Sequence, residues 1–215
     1  MTTTRWWWIR HAPVTEAAGR IYGQQDLDCD VGFAPVFDGL AALLPADAVW
    51  VTSTLKRTHR TAEAILERRP ETPELLQVQA LAEQHFGDWQ GRHRDELLAE
   101  RGDQWNRFWL APAHEAAPGG ESFVDLLERV HHAVERLSAE HAGRDIVAVT
   151  HGGTIRAALA VALGLEPERA LSFVVDNCSL SRVDHIAPPP EAGAERPAWR
   201  VGLVNHAARV PRDAD

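Results

Sequence analysis

The sequence predicts an α/β fold: a three-layer α/β/α sandwich around a mostly parallel central sheet, with an antiparallel edge and a small insertion cap. Three observations predict it. Short apolar runs alternate with helix-length amphipathic segments, the pattern of a parallel sheet covered by helices. Two late runs of alternating polarity read as antiparallel edge strands. Between these regions a stretch of about residues 83–121, rich in Trp, His, Gly and Pro, breaks the alternation and reads as an insertion over the sheet. A length of 215 residues suits one domain, so residues 1–215 are expected to form a single domain.

Residues 6–9, 49–52, 146–150 and 171–175 are short and apolar, and each reads as a buried strand. Those at 49–52 and 146–150 run into the polar pairs Thr52-Ser53 and Thr150-His151. The run Trp6, Trp7, Trp8 is read as bulky buried strand, not as a stacking surface. Between strands, Phe37, Leu40, Leu43 and Leu44 mark one helix, and residues 57–68 a second with Ala62, Ile65 and Leu66 on its apolar face. A third opens on Ser122 with Asp125 three residues later, a capping-box pattern, and continues through Phe123, Leu126, Leu127, Val130, Val134 and Leu137. A fourth starts after Gly153 and runs to about Leu163. Residues 179–185 and 199–204 are the edge strands, around a loop holding Pro188, Pro189, Pro190 and Gly193. Inside the insertion, residues 96–100 and 104–110 carry short helical patterns.

Composition narrows the partners. Twenty-two basic against 31 acidic side chains give a net charge of −9, which repels a nucleic-acid backbone or an anionic membrane at long range. An anionic ligand must therefore meet a local basic pocket. Cys29 and Cys178 are too few for a disulfide framework and lack metal-ligand spacing. The start has no signal-peptide pattern, and the longest apolar stretch, within residues 157–165, is far short of the ~20 that span a bilayer. A cytoplasmic protein with no metal, cofactor, nucleic-acid or membrane partner is expected, its oligomeric state left open.

In open α/β sheets, ligands bind beyond the carboxyl ends of the strands. After the first strand come Arg10 and His11; after the second, Ser53, Lys56, Arg57 and Arg60; after the third, His151 and Gly152. If these strands are neighbours, two histidines and several arginines share one crevice. Guanidinium forks and the N–H groups at a helix start suit phosphate oxygens.

The run Ile9-Arg10-His11-Ala12 resembles the RHG signature of the histidine phosphatase superfamily, and residues 52–57 with Thr61-Ala62 resemble its second motif. Leu81-Ala82-Glu83 with Phe86-Gly87 and Gly91 is similar to its acid-bearing motif, and residues 150–153 match its second histidine motif. The resemblance implies His11 as nucleophile, Arg10 and Arg57 as phosphate ligands, and Glu83 as proton donor. It also implies His151 as a phosphate contact, protonated in the transition state, with N–H groups near Gly152 beside it. His11, Pro13 and Val14 through Gly19, Tyr22, Gly23, Gln24 and Asp26, with residues 118–122, are similar to the α-ribazole phosphatase branch. That implies α-ribazole 5′-phosphate as substrate, with a broad-specificity sugar-phosphate or nucleotide phosphatase as the alternative. Tyr22, Gly23, Gln24, His85 and Trp109 are the candidate substrate contacts, with Trp89 and Trp105 as further cap aromatics. The asparagine of mutase-like members is absent from residues 15–19, which speaks against mutase chemistry. Ala12 departs from the usual glycine. A strained position there would favour a phosphate-binding protein without turnover, whereas Pro13 biases Ala12 toward extended backbone, where alanine is harmless.

Overall fold

Successive side chains on a strand point to opposite faces, so one strand can feed two cores. Strand β1 (Thr2–Arg10) does this with its tryptophans in the computed structural model, which describes residues 1–102, 108–189 and 197–208. Trp6 and Trp8 stack on one face with ring centroids 4.7 Å apart, and the buried Trp6 indole donates to Ser138 Oγ at 2.9 Å. Trp7 and Ile9 pack on the other face.

The chain continues through α1 (Ala34–Leu43), β2 (Val49–Thr52), α2 (Lys56–Leu66), β3 (Leu75–Gln77) and α3 (Arg94–Arg101). It then forms α4 (Phe123–Glu140), β4 (Asp145–Thr150), α5 (Gly152–Leu163), α6 (Pro167–Ala170), β5 (Ser179–Ala187) and β6 (Ala198–Ala207). The sheet order is β3-β2-β4-β1-β5-β6. The first four strands are parallel; β5 runs antiparallel to β1 and β6 antiparallel to β5.

The alternation of β1 holds across its neighbours. Val49, Val51, Ile146 and Ala148 join Trp6 and Trp8 against Phe123, Leu126, Val130 and Val134 of α4 and the apolar residues of α5. Trp50, Val147 and Val149 join Ile9 against Phe37 and Leu40 of α1 and Ala62 and Ile65 of α2. Two cores, one on each side of the sheet, make the expected three layers. The Ser122–Asp125 capping box starts α4: Asp125 N donates to Ser122 Oγ at 3.1 Å and Ser122 N to Asp125 Oδ2 at 2.8 Å.

One expected strand does not form. Residues 171–175 are not a strand, because β5 occupies the place beside β1; Leu171 and Val175 instead bury into the core around α4 and α5. The strand β3 carried no readable signal, having three residues, none of them buried. Of the helical pattern at 104–110, residues 104–107, with Trp105, lie outside the described residues, and 108–110 belong to no helix. The loop after Pro189 is likewise outside the description as far as residue 196. Among the described residues, no helix is long and apolar enough to cross a membrane.

Among its described residues, the stretch 83–121 contributes no strand to the sheet. Ile21, Phe86, Trp89, Leu97, Leu110, Ala111 and Ala117 form a small core of their own. Its two ends are clasped together: Asp88 N donates to Pro118 O at 2.9 Å and Glu121 N to His85 O at 2.9 Å. Gly87 is required at the clasp, since its φ is +42° and a Cβ there would lie 2.0 Å from Pro118 O.

Candidate active site

Because β1 and β4 are parallel neighbours with Arg10 opposite Thr150, the residues that follow them emerge side by side. His11 and His151 have ring centroids 5.2 Å apart at 60°, and both are buried. His11 Nδ1 is 2.7 Å from the Ala12 carbonyl. A carbonyl only accepts, so Nδ1 carries the proton and Nε2 keeps its lone pair. That acceptor is backbone, and no reading of side chains could have named it. Ala12 is not among the residues with positive φ, and its N–H donates to Thr61 Oγ1 at 2.9 Å. Alanine is thus unstrained where the resemblance leads one to expect glycine.

Two arginines converge beside the histidines. Arg57 is buried; Nη1 donates to Gln25 O at 2.8 Å and Nη2 to Gly23 O at 2.6 Å, with the guanidinium 5.0 Å from the Tyr22 ring centroid. Arg10 donates through Nη1 to Val175 O at 2.6 Å. Carbonyls hold both groups without cancelling their charge. His151 Nε2 lies 2.8 Å from Ser53 Oγ. Among the described residues, Arg10 Nε, Arg57 Nε and His151 Nδ1 are buried and have no hydrogen-bond partner. Buried polar atoms without partners are costly, and an oxyanion seated here would satisfy them.

Glu83 reaches the same place from the insertion. One carboxylate oxygen accepts from Gln84 N at 2.9 Å and the other from Gly153 N at 3.2 Å, at the start of α5. Its carbonyl accepts from Gln24 Nε2 at 2.8 Å and Arg129 Nη2 at 3.0 Å. Gly153 must be glycine for this, since a Cβ there would stand 2.3 Å from Glu83 Oε1. Gly153→Ala should therefore displace the carboxylate, while helix propensity favours alanine by about 1 kcal/mol. The expected result is a fall of roughly ten- to hundredfold in kcat with little change in Tm, the rough scale of one mispositioned acid–base group. Unchanged kinetics would show that the carboxylate position is immaterial.

A cavity of about 290 Å³ opens beside these groups, lined by Arg10, Tyr22, Gly23, Glu83, Phe86 and Trp109 among others. Tyr22 stands 6.4 Å from His11, ring centroid to ring centroid. Trp109 Nε1 donates to Gln84 Oε1 at 2.8 Å. Gln24 and His85 line a neighbouring depression of about 620 Å³ with Glu121 and Arg129. Gly152 opens α5, close enough that a Cβ would be 3.5 Å from Arg10 Nε. Arg60 is turned away to Asp28, at 3.1 Å, and Trp89 is buried in the insertion's own core. Sequence reasoning missed Arg156, whose Nε donates to Phe173 O at 2.8 Å. Its spacing of four from Gly152 puts both on one helix face, and that was the available signal.

Both histidines are held well below their ordinary pKa. For His11 the chief cause is burial, then the charges of Arg57 and Arg10, opposed by the Ala12 hydrogen bond. For His151 it is burial, then Arg57, His11, Arg10 and Arg129. Desolvation and nearby cations both oppose a charged ring, so both histidines are neutral near pH 7 in the free protein; the proton that the resemblance implies on His151 belongs to the transition state, with the phosphate bound. The unfolded chain takes up these protons below about pH 6.5, where the folded chain still excludes them. Stability should be full above that pH and decline as pH falls below it, down to the folded pKa values. Urea midpoints between about pH 7.5 and pH 5 should fall, with a shallower slope in His151→Gln. An equal slope in wild type and variant would mean that His151 protonates freely in the fold.

Residues 6–188 match the family model described as histidine phosphatase superfamily (branch 1). The chain is similar to 2,3-bisphosphoglycerate-dependent phosphoglycerate mutase 2 of Gloeobacter violaceus, 34% identical over 144 residues, 65% of each protein. It is similar to the adenosylcobalamin/alpha-ribazole phosphatase of Salmonella typhimurium, 30% identical over 186 residues, 84% of this chain and 90% of that protein. Among solved structures it resembles mycobacterial hydrolase 2 with a TM-score of 0.81 and 28% identity, covering 99% of this chain and 95% of that one. With the first of these relatives, the chain matches just under two thirds of that protein's length, 65%.

Proposed function

The chain belongs to the histidine phosphatase superfamily, and from that premise we propose that it hydrolyses small phosphate monoesters through a phosphohistidine formed on His11. The observation that carries the reading is the trio of unpartnered buried nitrogens, Arg10 Nε, Arg57 Nε and His151 Nδ1, beside a neutral imidazole whose Nε2 is free to attack.

In the first step His11 Nε2 bonds to phosphorus and the P–O bond to the alcohol breaks. Glu83, entering as the carboxylic acid, gives its proton to the leaving oxygen. Arg10, Arg57, His151 and the Gly152 N–H at the start of α5 hold the equatorial oxygens, each worth about 3 kcal/mol where it strengthens in the transition state. In the second step the Glu83 carboxylate takes a proton from water, the water oxygen bonds to phosphorus, the N–P bond breaks, and inorganic phosphate leaves. Guanidinium charge does the work a metal would otherwise do. A binding protein without turnover would have no use for a carboxyl group at Glu83, and unstrained Ala12 removes the one feature in its favour.

For the ester itself, α-ribazole 5′-phosphate is supported by the similarity to the Salmonella relative and by the rings of Tyr22, Phe86 and Trp109 in the cavity. The test of the activity is turnover of p-nitrophenyl phosphate in excess EDTA, with acid-labile, alkali-stable phosphate on the protein in a rapid quench. Loss of turnover on chelation, or a phosphate bond stable to acid, would refute it. A ranking of kcat/KM across α-ribazole 5′-phosphate, sugar phosphates and nucleotides then decides the substrate.

A further inference from the structure

His151 meets the phosphate position with one ring nitrogen and a pair of hydroxyls with the other. Its Nε2 lies 2.8 Å from Ser53 Oγ, just beyond β2, while Nδ1 is the buried nitrogen without a partner. Ser53 and Thr58, in the first turn of α2, are both buried. A neutral imidazole carries one N–H, so the nitrogen that holds it follows from where the neighbouring protons go.

Those protons can be traced. Thr58 Oγ1 is 2.8 Å from Leu55 O, and a carbonyl only accepts, so the Thr58 hydroxyl donates there. Its contact with Ser53 O is longer, 3.4 Å, and that carbonyl already faces His59 Nε2 at 2.7 Å. Leu55 N donates to Ser53 Oγ at 3.2 Å. With its own proton committed, Thr58 Oγ1 can only accept from Ser53 Oγ, 3.2 Å away. The Ser53 proton therefore has two places to go, Thr58 Oγ1 or His151 Nε2.

In the first arrangement the chain runs one way, from His151 Nε2–H through Ser53 and Thr58 to the Leu55 carbonyl, and each hydroxyl both gives and receives. In the second, Thr58 Oγ1 receives nothing, and the ring presents an N–H instead of a lone pair to the cations beside it. The first is favoured on both counts. Nδ1 is then a bare lone pair in the free protein, and a lone pair and a phosphate oxygen repel. The surroundings also deny the ring a charge of its own. Arg57 of α2, Arg10 after β1, His11 and Arg129 of α4 all oppose it, while the Glu83 carboxylate is held two residues on, at Gly153 N.

Resting on the phosphomonoesterase reading, we infer that Ser53 and Thr58 are positioning residues that fix the His151 proton on Nε2, so that the site takes its phosphate ester as the monoanion. The acid oxygen of the ester gives its proton to Nδ1. Its O–H bond breaks, the N–H bond forms, and a dianion is left against an imidazolium whose Nε2–H still rests on Ser53. The dianion stabilises the charge that burial and the arginines deny to the ring alone.

Nitrogen-15 NMR of labelled histidine reads the ring directly, with the His151 signals identified by their loss in His151→Gln. At about pH 7.5 the free protein should carry the proton on Nε2 with Nδ1 bare, and saturating inorganic phosphate should make Nδ1 a proton-bearing nitrogen. By calorimetry, phosphate affinity should fall about tenfold per pH unit above the second pKa of phosphate itself, the slope of one proton bound with it. Thr58→Val removes the acceptor of the Ser53 proton, which must then go to Nε2. The free ring should switch to Nδ1–H and the slope should flatten, because the dianion now meets a donor. Thr58→Ser keeps the hydroxyl and should behave as wild type. A merely structural role would change Tm and affinity in Thr58→Val with the ring proton and the slope unmoved, and that result overturns the inference. So does Nδ1–H in the free wild-type protein, or a level affinity across the same pH range. The wild-type measurements decide even if Thr58→Val does not fold. Where p-nitrophenyl phosphate still turns over, only the relay falls. If the wild-type protein neither binds phosphate nor turns over that ester, the phosphomonoesterase reading falls with it.

Discussion

His11→Ala should leave a folded protein that turns over phosphate esters at least about four orders of magnitude more slowly than wild type. The loss is large because two steps depend on this one atom: the P–O bond is broken by Nε2, and water attacks only the phosphohistidine that results. Water in the void cannot substitute, since nothing there holds it in line with the leaving oxygen. The anion site itself survives the change. Arg10 Nε, Arg57 Nε and His151 Nδ1 keep their unpartnered positions, so inorganic phosphate should still raise the Tm of the variant. His11 is buried, and a truncation can loosen the core; His11→Gln, with more of the volume retained, separates lost chemistry from lost packing. The measurement is kcat beside Tm with and without phosphate. Near-wild-type turnover in either variant would sink the whole assignment.

Glu83→Gln should split the reaction into its two halves. With an ester of a poor leaving group the first step loses its proton donor, and turnover should fall roughly a thousandfold. A nitrophenolate leaves unaided, so p-nitrophenyl phosphate should still phosphorylate His11 while the water attack that follows lacks its base. The expected trace is a burst of nitrophenol close to the enzyme concentration, then slow release, with phosphoenzyme trapped by alkaline quench. The amide is not a perfect copy. Both carboxylate oxygens accept from N–H donors, Gln84 N and Gly153 N, and a glutamine can serve only one of them, which costs about 1 kcal/mol of local stability. Steady release at the wild-type rate with no burst would move the acid–base role off Glu83. Glu121 could not take it up where it stands, with both oxygens held by Arg129.

The legible parts of this molecule are those where a short segment carries its own signal. Residues 49–52 and 146–150 read as strands because parallel strands covered on both faces are continuously apolar. The same signature at 171–175 misled, since an apolar run packs equally well as irregular chain against two helices. His11, His151, Arg10, Arg57 and Glu83 were readable as residues standing just beyond strand ends or in motifs. Their states were not. The tautomer of His11 rests on the Ala12 carbonyl, and the neutrality of His151 on burial beside Arg57, Arg10 and Arg129, three cations from separate places in the chain. Arg156 escaped notice because its partner Trp109 comes from the insertion, 47 residues earlier, a meeting that only the tertiary fold arranges.

The segment that failed to be a strand has an evolutionary corollary. Phe173 O holds Arg156 and Val175 O holds Arg10, two acceptors separated by one residue. Loops ordinarily absorb insertions and deletions with little penalty. Here a single added or missing residue would part those acceptors and turn at least one guanidinium away from the pocket. The loop is therefore free to vary in side chain, as exposed Val174 between them illustrates, but fixed in length. Descendants of this chain that drift toward other esters can do so by point substitution here, with the spacing of the two acceptors kept.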